Sequence, residues 1–140
     1  MRNSFAVLIA LSFFSCGTDV HGIAAPSGSC PSHTAMLAVY DGFLETICGC
    51  AEASPVYSPP GSHLICTVTA GTQVMFYFTA TSNKHQIAST GQPVFQTSPL
   101  SDPIDPMTMI REHTIKLDTP GTYAFHDTMI GALQGDIIVL

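Results

Sequence analysis

Thr67-Val68-Thr69-Ala70-Gly71-Thr72-Gln73-Val74-Met75-Phe76-Tyr77-Phe78 is the stretch of this sequence that decides the fold class. β-Branched and aromatic residues fill it on both sides of Ala70-Gly71, which is typical of two consecutive strands with a turn between them. The pattern predicts strands over residues 63–69 and 73–81, and the second is the strongest strand signal in the chain.

The rest of the chain shows the same kind of pattern. Residues 43–47 either continue a first strand or form a short turn of helix, and residues 51–62 and 99–106 are predicted as loops because they are rich in proline. Short strands interrupted by Gly and Pro, without a long helical pattern, predict an all-β sandwich. Further strands are predicted over residues 36–40, 86–89, 93–97 and 135–140, and a hairpin over residues 112–117 and 122–126 around Thr119-Pro120-Gly121.

The composition limits the class of protein. The chain has 140 residues, of which 46% are apolar and only 10% charged, and its formal net charge is −6. This length fits one domain with a substantial core. An acidic, sparsely charged surface repels a phosphate backbone, so a nucleic-acid partner is not expected.

The N-terminus has the features of an export signal. A basic start is followed by an apolar run over residues 5–14, which is too short to span a bilayer as a mature helix. Phe13-Phe14-Ser15-Cys16-Gly17 resembles a bacterial lipobox, which implies that Cys16 is lipidated and anchors the chain to a membrane. Ordinary cleavage near Gly22 or Ala25 is the alternative, giving a periplasmic or secreted protein. We therefore divide the chain into a signal peptide (1–16), a tether (17–35) and a β-domain (36–140).

The cysteines other than Cys16 form an even set, Cys30, Cys48, Cys50 and Cys66. In an exported chain this predicts two disulfides. Cysteines separated by one residue rarely pair with each other, so Cys48 and Cys50 should each bond one of the other two. Zinc is the alternative, because Cys30 and His33 form a C-x2-H pair while His63 and Cys66 form an H-x2-C pair.

Two segments of the chain resemble the two halves of a cupredoxin (blue-copper) domain. The first, residues 67–87, resembles the family's V-x-A-G-x-x-V-x-F strand pair followed by H-x-I/V, here His85-Gln86-Ile87. The second, residues 117–127, resembles the family's L-x-x-P-G-T-Y-x-F-x-C. The resemblance covers roughly residues 63–140 and implies a Greek-key, cupredoxin-like β-sandwich.

The resemblance also implies a set of copper ligands, and this sequence keeps one of them. His85 matches the first histidine ligand, whereas Asp127 stands where the thiolate ligand would be and Leu133 stands where the axial methionine would be. No histidine follows in residues 128–132. Because a blue-copper centre requires a thiolate together with two imidazoles, a functional type 1 centre is not expected.

Two arrangements of the remaining residues are open. Strand alternation places Tyr123, Phe125 and Asp127 on the core face and His126 on the other. His85 and Asp127 could therefore form a structural hydrogen bond, or could hold copper or zinc weakly with Met129 as a third donor. A separate candidate for copper is the group Met107, Met109 and His113.

No nucleophile–base motif or phosphate-binding loop is present, so the sequence gives no support for catalysis. We expect a non-enzymatic extracytoplasmic module with a binding or structural role, without a resident cofactor. The alternative is copper or zinc binding, or electron transfer, through a rebuilt site at His85, Asp127 and Met129. The sequence does not identify a protein partner.

Overall fold

A computed structural model describes residues 29–79, 83–101 and 112–140, and within these ranges the chain forms ten strands in two five-stranded sheets. The all-β sandwich predicted from the sequence is confirmed. The first sheet has the order β4 (Tyr57–Ser58), β2 (Phe43–Cys48), β1 (Thr34–Tyr40), β6 (Thr72–Phe78) and β8 (Glu112–Leu117). The second has the order β3 (Glu52–Ser54), β5 (His63–Val68), β10 (Gln134–Val139), β9 (Gly121–Asp127) and β7 (Ile87–Ser89).

The chain passes repeatedly between the two sheets. β1 and β2 form a hairpin across the Asp41-Gly42 turn, so the strand alternative for residues 43–47 is correct. From β2 to β9, each successive strand lies in the opposite sheet. β1 runs parallel to β6 and β10 runs parallel to β5, whereas the remaining pairs are antiparallel. The sheets are therefore joined by crossovers at both ends of the sandwich.

Alternating side chains of both sheets form the core. On β6, Val74, Phe76 and Phe78 point inward and are almost fully buried. The Phe76 ring meets the edge of Phe125 from β9, with ring centroids 5.1 Å apart at 68°. A methyl group at Gly135 would come within 2.9 Å of the Phe125 ring, so this position of β10 is restricted to glycine by packing.

The predicted hairpin over residues 112–126 is wrong. β8 pairs with β6 in the first sheet, whereas β9 pairs with β10 and β7 in the second. Residues 118–120 therefore cross between sheets, and the Tyr123 hydroxyl donates to the Thr119 carbonyl at 2.9 Å across that crossing. A Pro-Gly turn is compatible with both connections, so the local sequence does not distinguish them.

The strand predicted over residues 93–97 is also absent. Pro93 has no N–H to donate to a ladder, and Phe95 instead packs against Phe76 at a centroid distance of 6.0 Å. The predicted loop over residues 51–62 contains the short strands β3 and β4. Of the loop predicted over residues 99–106, the structure describes residues 99–101, which are not in a strand.

Two disulfides close the end of the sandwich at which β1 begins. Cys30 bonds Cys48 and Cys50 bonds Cys66, with Cα–Cα distances of 5.5 and 5.2 Å. This pairing is one of the two that the spacing allows. Because all four thiols are oxidised, they are not available as zinc ligands. β1 already begins at Thr34, within the range assigned to the tether. The described ranges include no helix with the length and apolarity needed to cross a bilayer.

Candidate functional site

The candidate site lies at the end of the sandwich where β9 finishes. The inward side chains of β9 are Tyr123, Phe125 and Asp127, which are 5%, 1% and 0% exposed. Asp127 is thus a carboxylate at the last core position of its strand. β7 pairs with β9 so that Ile87 lies opposite Asp127, and this register brings His85 to the same end of the sandwich, where it is also 0% exposed.

The structure brings His85 and Asp127 into direct contact. Nδ1 of His85 lies 2.5 Å from Oδ2 of Asp127, and Nε2 lies 3.2 Å from Oδ1 of Asp41. Asp41 belongs to the turn between β1 and β2, and its side chain is one-third exposed. Sequence reasoning missed this residue. An imidazole donates from both nitrogens only when it is protonated, so the geometry fits a histidine cation between two carboxylates.

The second oxygen of Asp127 is held by the backbone. Oδ1 accepts hydrogen bonds from the N–H groups of Met129 at 2.9 Å, Gln86 at 3.3 Å and Ile130 at 3.4 Å. Burial by itself would raise the pKa of Asp127. The His85 hydrogen bond, the Met129 N–H, the His85 charge and the Gln86 N–H together outweigh burial and bring the pKa below its ordinary value of 3.8. The carboxylate is therefore ionised although it is fully buried.

A serine-containing segment holds the backbone beside His85. The hydroxyl of Ser101 accepts the His85 N–H at 2.7 Å, and the Ser101 N–H donates to the His85 carbonyl at 2.8 Å. Ser98 acts similarly on Ile87, whose N–H it accepts at 2.9 Å. Both serines are buried, so these bonds satisfy backbone groups that would otherwise have no partner. The imidazole therefore sits on a fixed main chain.

The described residues do not fit a type 1 copper centre. Nδ1 of His85 faces Asp127 and Nε2 faces Asp41, so the two carboxylates lie on opposite sides of the ring and cannot share one ion with it. Leu133, at the axial position, is 1% exposed and belongs to the core. Met129 contacts Asp127 through its backbone N–H, while its side chain is 55% exposed. No group of three or more His, Cys, Asp or Glu side chains in the described ranges is arranged to hold a metal ion.

The other candidate residues lie apart from this site. His126 is on the opposite face of β9, next to Ala88 and Gln134 of the neighbouring strands. His113 donates from Nε2 to the carbonyl of Gln96 at 2.9 Å. Met107, Met109 and Cys16 lie outside the described residues.

Comparisons with known proteins bear on the fold. No protein-family profile and no curated protein matches this sequence. The Cu(I) form of a methionine-to-alanine mutant of amicyanin superposes with a TM-score of 0.51 at 10% identity, covering 79% of this chain and 86% of that one. A reduced tryptophan-to-tyrosine mutant of amicyanin gives 0.50 at 12% identity with the same coverage. A purple cupredoxin from Nitrosopumilus maritimus gives 0.44 at 19% identity over 56% of this chain and 83% of that one. The two amicyanin superpositions show that the sandwich is cupredoxin-like.

Proposed function

We propose that this chain is a non-enzymatic extracytoplasmic module in which a buried His85–Asp127 pair replaces the copper centre of a cupredoxin-like fold. Its role is structural or ligand-binding rather than electron transfer. The observation that carries the proposal is the engagement of both ring nitrogens of His85 by carboxylate oxygens. A metal at Nδ1 would have to displace a carboxylate that lies 2.5 Å away and is itself fixed by backbone N–H groups.

The donor chemistry supports the same proposal. Copper in a type 1 centre is bound by a thiolate and tuned by it, and Asp127 supplies a hard oxygen instead. The four described cysteines are in disulfides and none lies at this end of the sandwich. The pair gives the buried His85 imidazole and the buried Asp127 carboxylate a partner each, and this removes the penalty of an isolated buried charge.

A metal titration tests this proposal. We expect the Cu(II)-treated protein to lack the intense absorption near ~600 nm that a copper–thiolate bond gives. We also expect Cu(II) and Zn(II) to leave the melting temperature unchanged, because only a ligand bound to the folded state raises it. His85→Ala should lower the free energy of unfolding by roughly 1–3 kcal/mol, since it strands the buried Asp127 carboxylate.

His63→Ala is the matched control, because His63 pairs with Asp136 at 2.8 Å on the surface with 44% of its side chain exposed. Loss of this surface pair should change stability by less than about 1 kcal/mol. Metal binding at one equivalent that raises the melting temperature in the wild type, but not in His85→Ala or Asp127→Ala, would establish the copper or zinc alternative. Met129→Ala would then test the third donor.

We propose further that Cys16 is the lipidated N-terminus of the processed chain and anchors it to a membrane. Cys16→Ser should release the protein into the soluble fraction, and mass spectrometry of the wild type should find an acylated N-terminal cysteine. Two or more acyl chains hold a protein firmly, so the wild type should remain membrane-bound in high-salt washes. An unmodified N-terminus near Ile23 or Pro26 would instead establish ordinary secretion.

A further inference from the structure

The first sheet ends in an edge strand that is long compared with the other sheet edges. β8 has six residues, whereas the edge strands β4, β3 and β7 have two, three and three. Short edges offer little backbone for pairing with another chain, and a six-residue edge offers much more. In the described part of the chain, β8 is therefore the edge most able to take an additional strand.

The hydrogen bonds of β8 show which of its backbone groups face outward. The Leu117 carbonyl accepts the N–H of Gly71 at 2.8 Å, so Leu117 directs its backbone groups toward β6. In an antiparallel strand this direction alternates, and Glu112, Thr114 and Lys116 therefore direct their N–H and C=O groups to the free edge. Among the described residues, the backbone bonds of β8 all go to β6 or Gly71.

The side chains at these same three positions form a self-complementary pattern. Glu112, Thr114 and Lys116 are exposed and lie on the outer face of the sheet. If a second β8 pairs antiparallel with Thr114 opposite its own counterpart, each Glu112 lies opposite Lys116 of the second copy. Directly opposed unlike charges stabilise a strand pair, whereas like charges destabilise it. The register that joins the edge-facing backbone groups is thus also the one that matches the charges.

The contact that Lys116 makes within the single chain does not compete strongly with this arrangement. Residues 94–96 and β8 also leave an open groove of about 410 Å³ between them. In the single chain, Lys116 contacts Asp118 at 2.8 Å, but both side chains are about 60% exposed. A surface ion pair of this kind contributes little, so Lys116 is able to exchange this partner for Glu112 of a second copy.

We propose that two copies of this chain associate through β8, antiparallel and centred on Thr114, so that their first sheets form one continuous ten-stranded sheet. The interface is isologous, with the same residues contributed by each copy. Three backbone-paired positions per strand supply the attraction, and the two Glu112–Lys116 pairs fix the register.

Sedimentation of the purified protein over about 1 µM to 1 mM tests the proposal in the range where weak dimers appear. We expect a concentration-dependent dimer in the wild type. Lys116→Glu and Glu112→Lys should each raise the dissociation constant at least about tenfold, because two symmetric pairs become repulsive together. The double exchange Glu112→Lys/Lys116→Glu should restore the wild-type value.

Thr114→Pro tests the backbone pairing separately. It removes an edge-facing N–H and should abolish the dimer, while the fold tolerates proline at an open edge.

Glu52→Lys is the matched control, since it makes the same change of charge on the exposed edge strand β3 and should leave the dissociation constant unaltered. Circular dichroism verifies that each variant is folded. A wild type that is monomeric throughout would overturn the proposal, and the edge would then be open to a strand of another protein. A dimer that survives both Thr114→Pro and Lys116→Glu, or is not restored by the double exchange, would overturn it too. None of these outcomes depends on metal binding at His85, so the two proposals fail separately.

Discussion

Asp127 is a buried carboxylate that keeps its charge because donors surround it. Its pKa lies below the ordinary value of 3.8, despite burial, owing first to the His85 hydrogen bond. A carboxyl group with a lower pKa in the folded than in the unfolded state contributes stability that is fully present above the unfolded value. That contribution is lost as the pH falls through the folded value, because the unfolded chain then binds more protons.

We therefore expect the free energy of unfolding to fall as the pH is lowered below about 4, the range in which an unfolded aspartate gains its proton. Asp127→Asn keeps the shape of the side chain and removes this titration, so its stability should depend less steeply on pH. Asp118→Asn, on a side chain that is 62% exposed, is the control and should retain the wild-type slope. Urea denaturation at several acidic pH values measures this. Equal slopes for Asp127→Asn and the wild type would contradict our account of the site.

Part of this site could be predicted from the sequence and part could not. Strand alternation is a local property, so the inward direction of Asp127 followed from Tyr123 and Phe125, four and two positions earlier. The contact with Asp41 joins residues 44 positions apart, and an aspartate in an Asp-Gly turn looks like an ordinary turn residue. The contact of Asp41 with His85 depends on how two distant loops pack together, and a local sequence pattern does not predict that.

At the scale of elements, one tyrosine makes a hydrogen bond across the segment that joins β8 to β9. The Tyr123 ring is buried in the core and its hydroxyl holds the Thr119 carbonyl in the connecting segment. Tyr123→Phe keeps the ring and leaves that part-buried carbonyl without its partner. We expect a loss of about 0.5–1.5 kcal/mol in the free energy of unfolding, the usual contribution of one such hydrogen bond.

Tyr57→Phe serves as the control for this prediction, because Tyr57 is 52% exposed and its ring packs against the Phe43 ring at a tilt of 33°. Its stability should stay within about 0.5 kcal/mol of the wild type. Chemical denaturation compares the two variants. If both changes had the same effect, the crossing would not depend on the Tyr123 hydroxyl.

The strands themselves were easier to predict than their partners. Alternating β-branched and aromatic residues predicted β5, β6, β9 and β10. This signal lies within the short sequence of each strand, so it can be recognised without knowing the strand's partners. The choice between a hairpin and a crossover at residues 118–120 is not local. It depends on long-range pairing, because β8 pairs with β6 in the first sheet and β9 pairs with β10 in the second. The strand predicted over residues 93–97 is absent for another reason: Phe95 is partly buried by packing against the core, without belonging to a ladder.

In the whole molecule, the two ends of β1 are fixed by different means. The chain just before β1 is tied to the end of β2 by Cys30–Cys48, while the turn after β1 brings Asp41 to His85. The second disulfide ties Cys50, in the passage from β2 to β3, to Cys66 on β5. It therefore links the connection between the sheets to the core of the second sheet.

A comparison of the two disulfides distinguishes the stability that comes from loop closure from the stability that comes from core packing. They span 18 and 16 residues, so the entropy that each removes from the unfolded chain is nearly the same, roughly 3 kcal/mol in the chain-entropy model. Cys66 is fully buried and belongs to the core cluster, and Cys50 packs against that cluster. Removing this pair also leaves a cavity, which adds to the loss.

We expect Cys50→Ala/Cys66→Ala to lower the free energy of unfolding by about 1 kcal/mol or more beyond the loss in Cys30→Ala/Cys48→Ala, since the transfer and cavity contributions arise only at the buried pair. Urea denaturation of both double variants, without reductant, measures the difference. The matched loop lengths make each variant the control for the other. Equal losses would mean that loop closure alone accounts for the stabilisation. A larger loss in Cys30→Ala/Cys48→Ala would mean that anchoring the chain before β1 contributes more to stability than packing around Cys66.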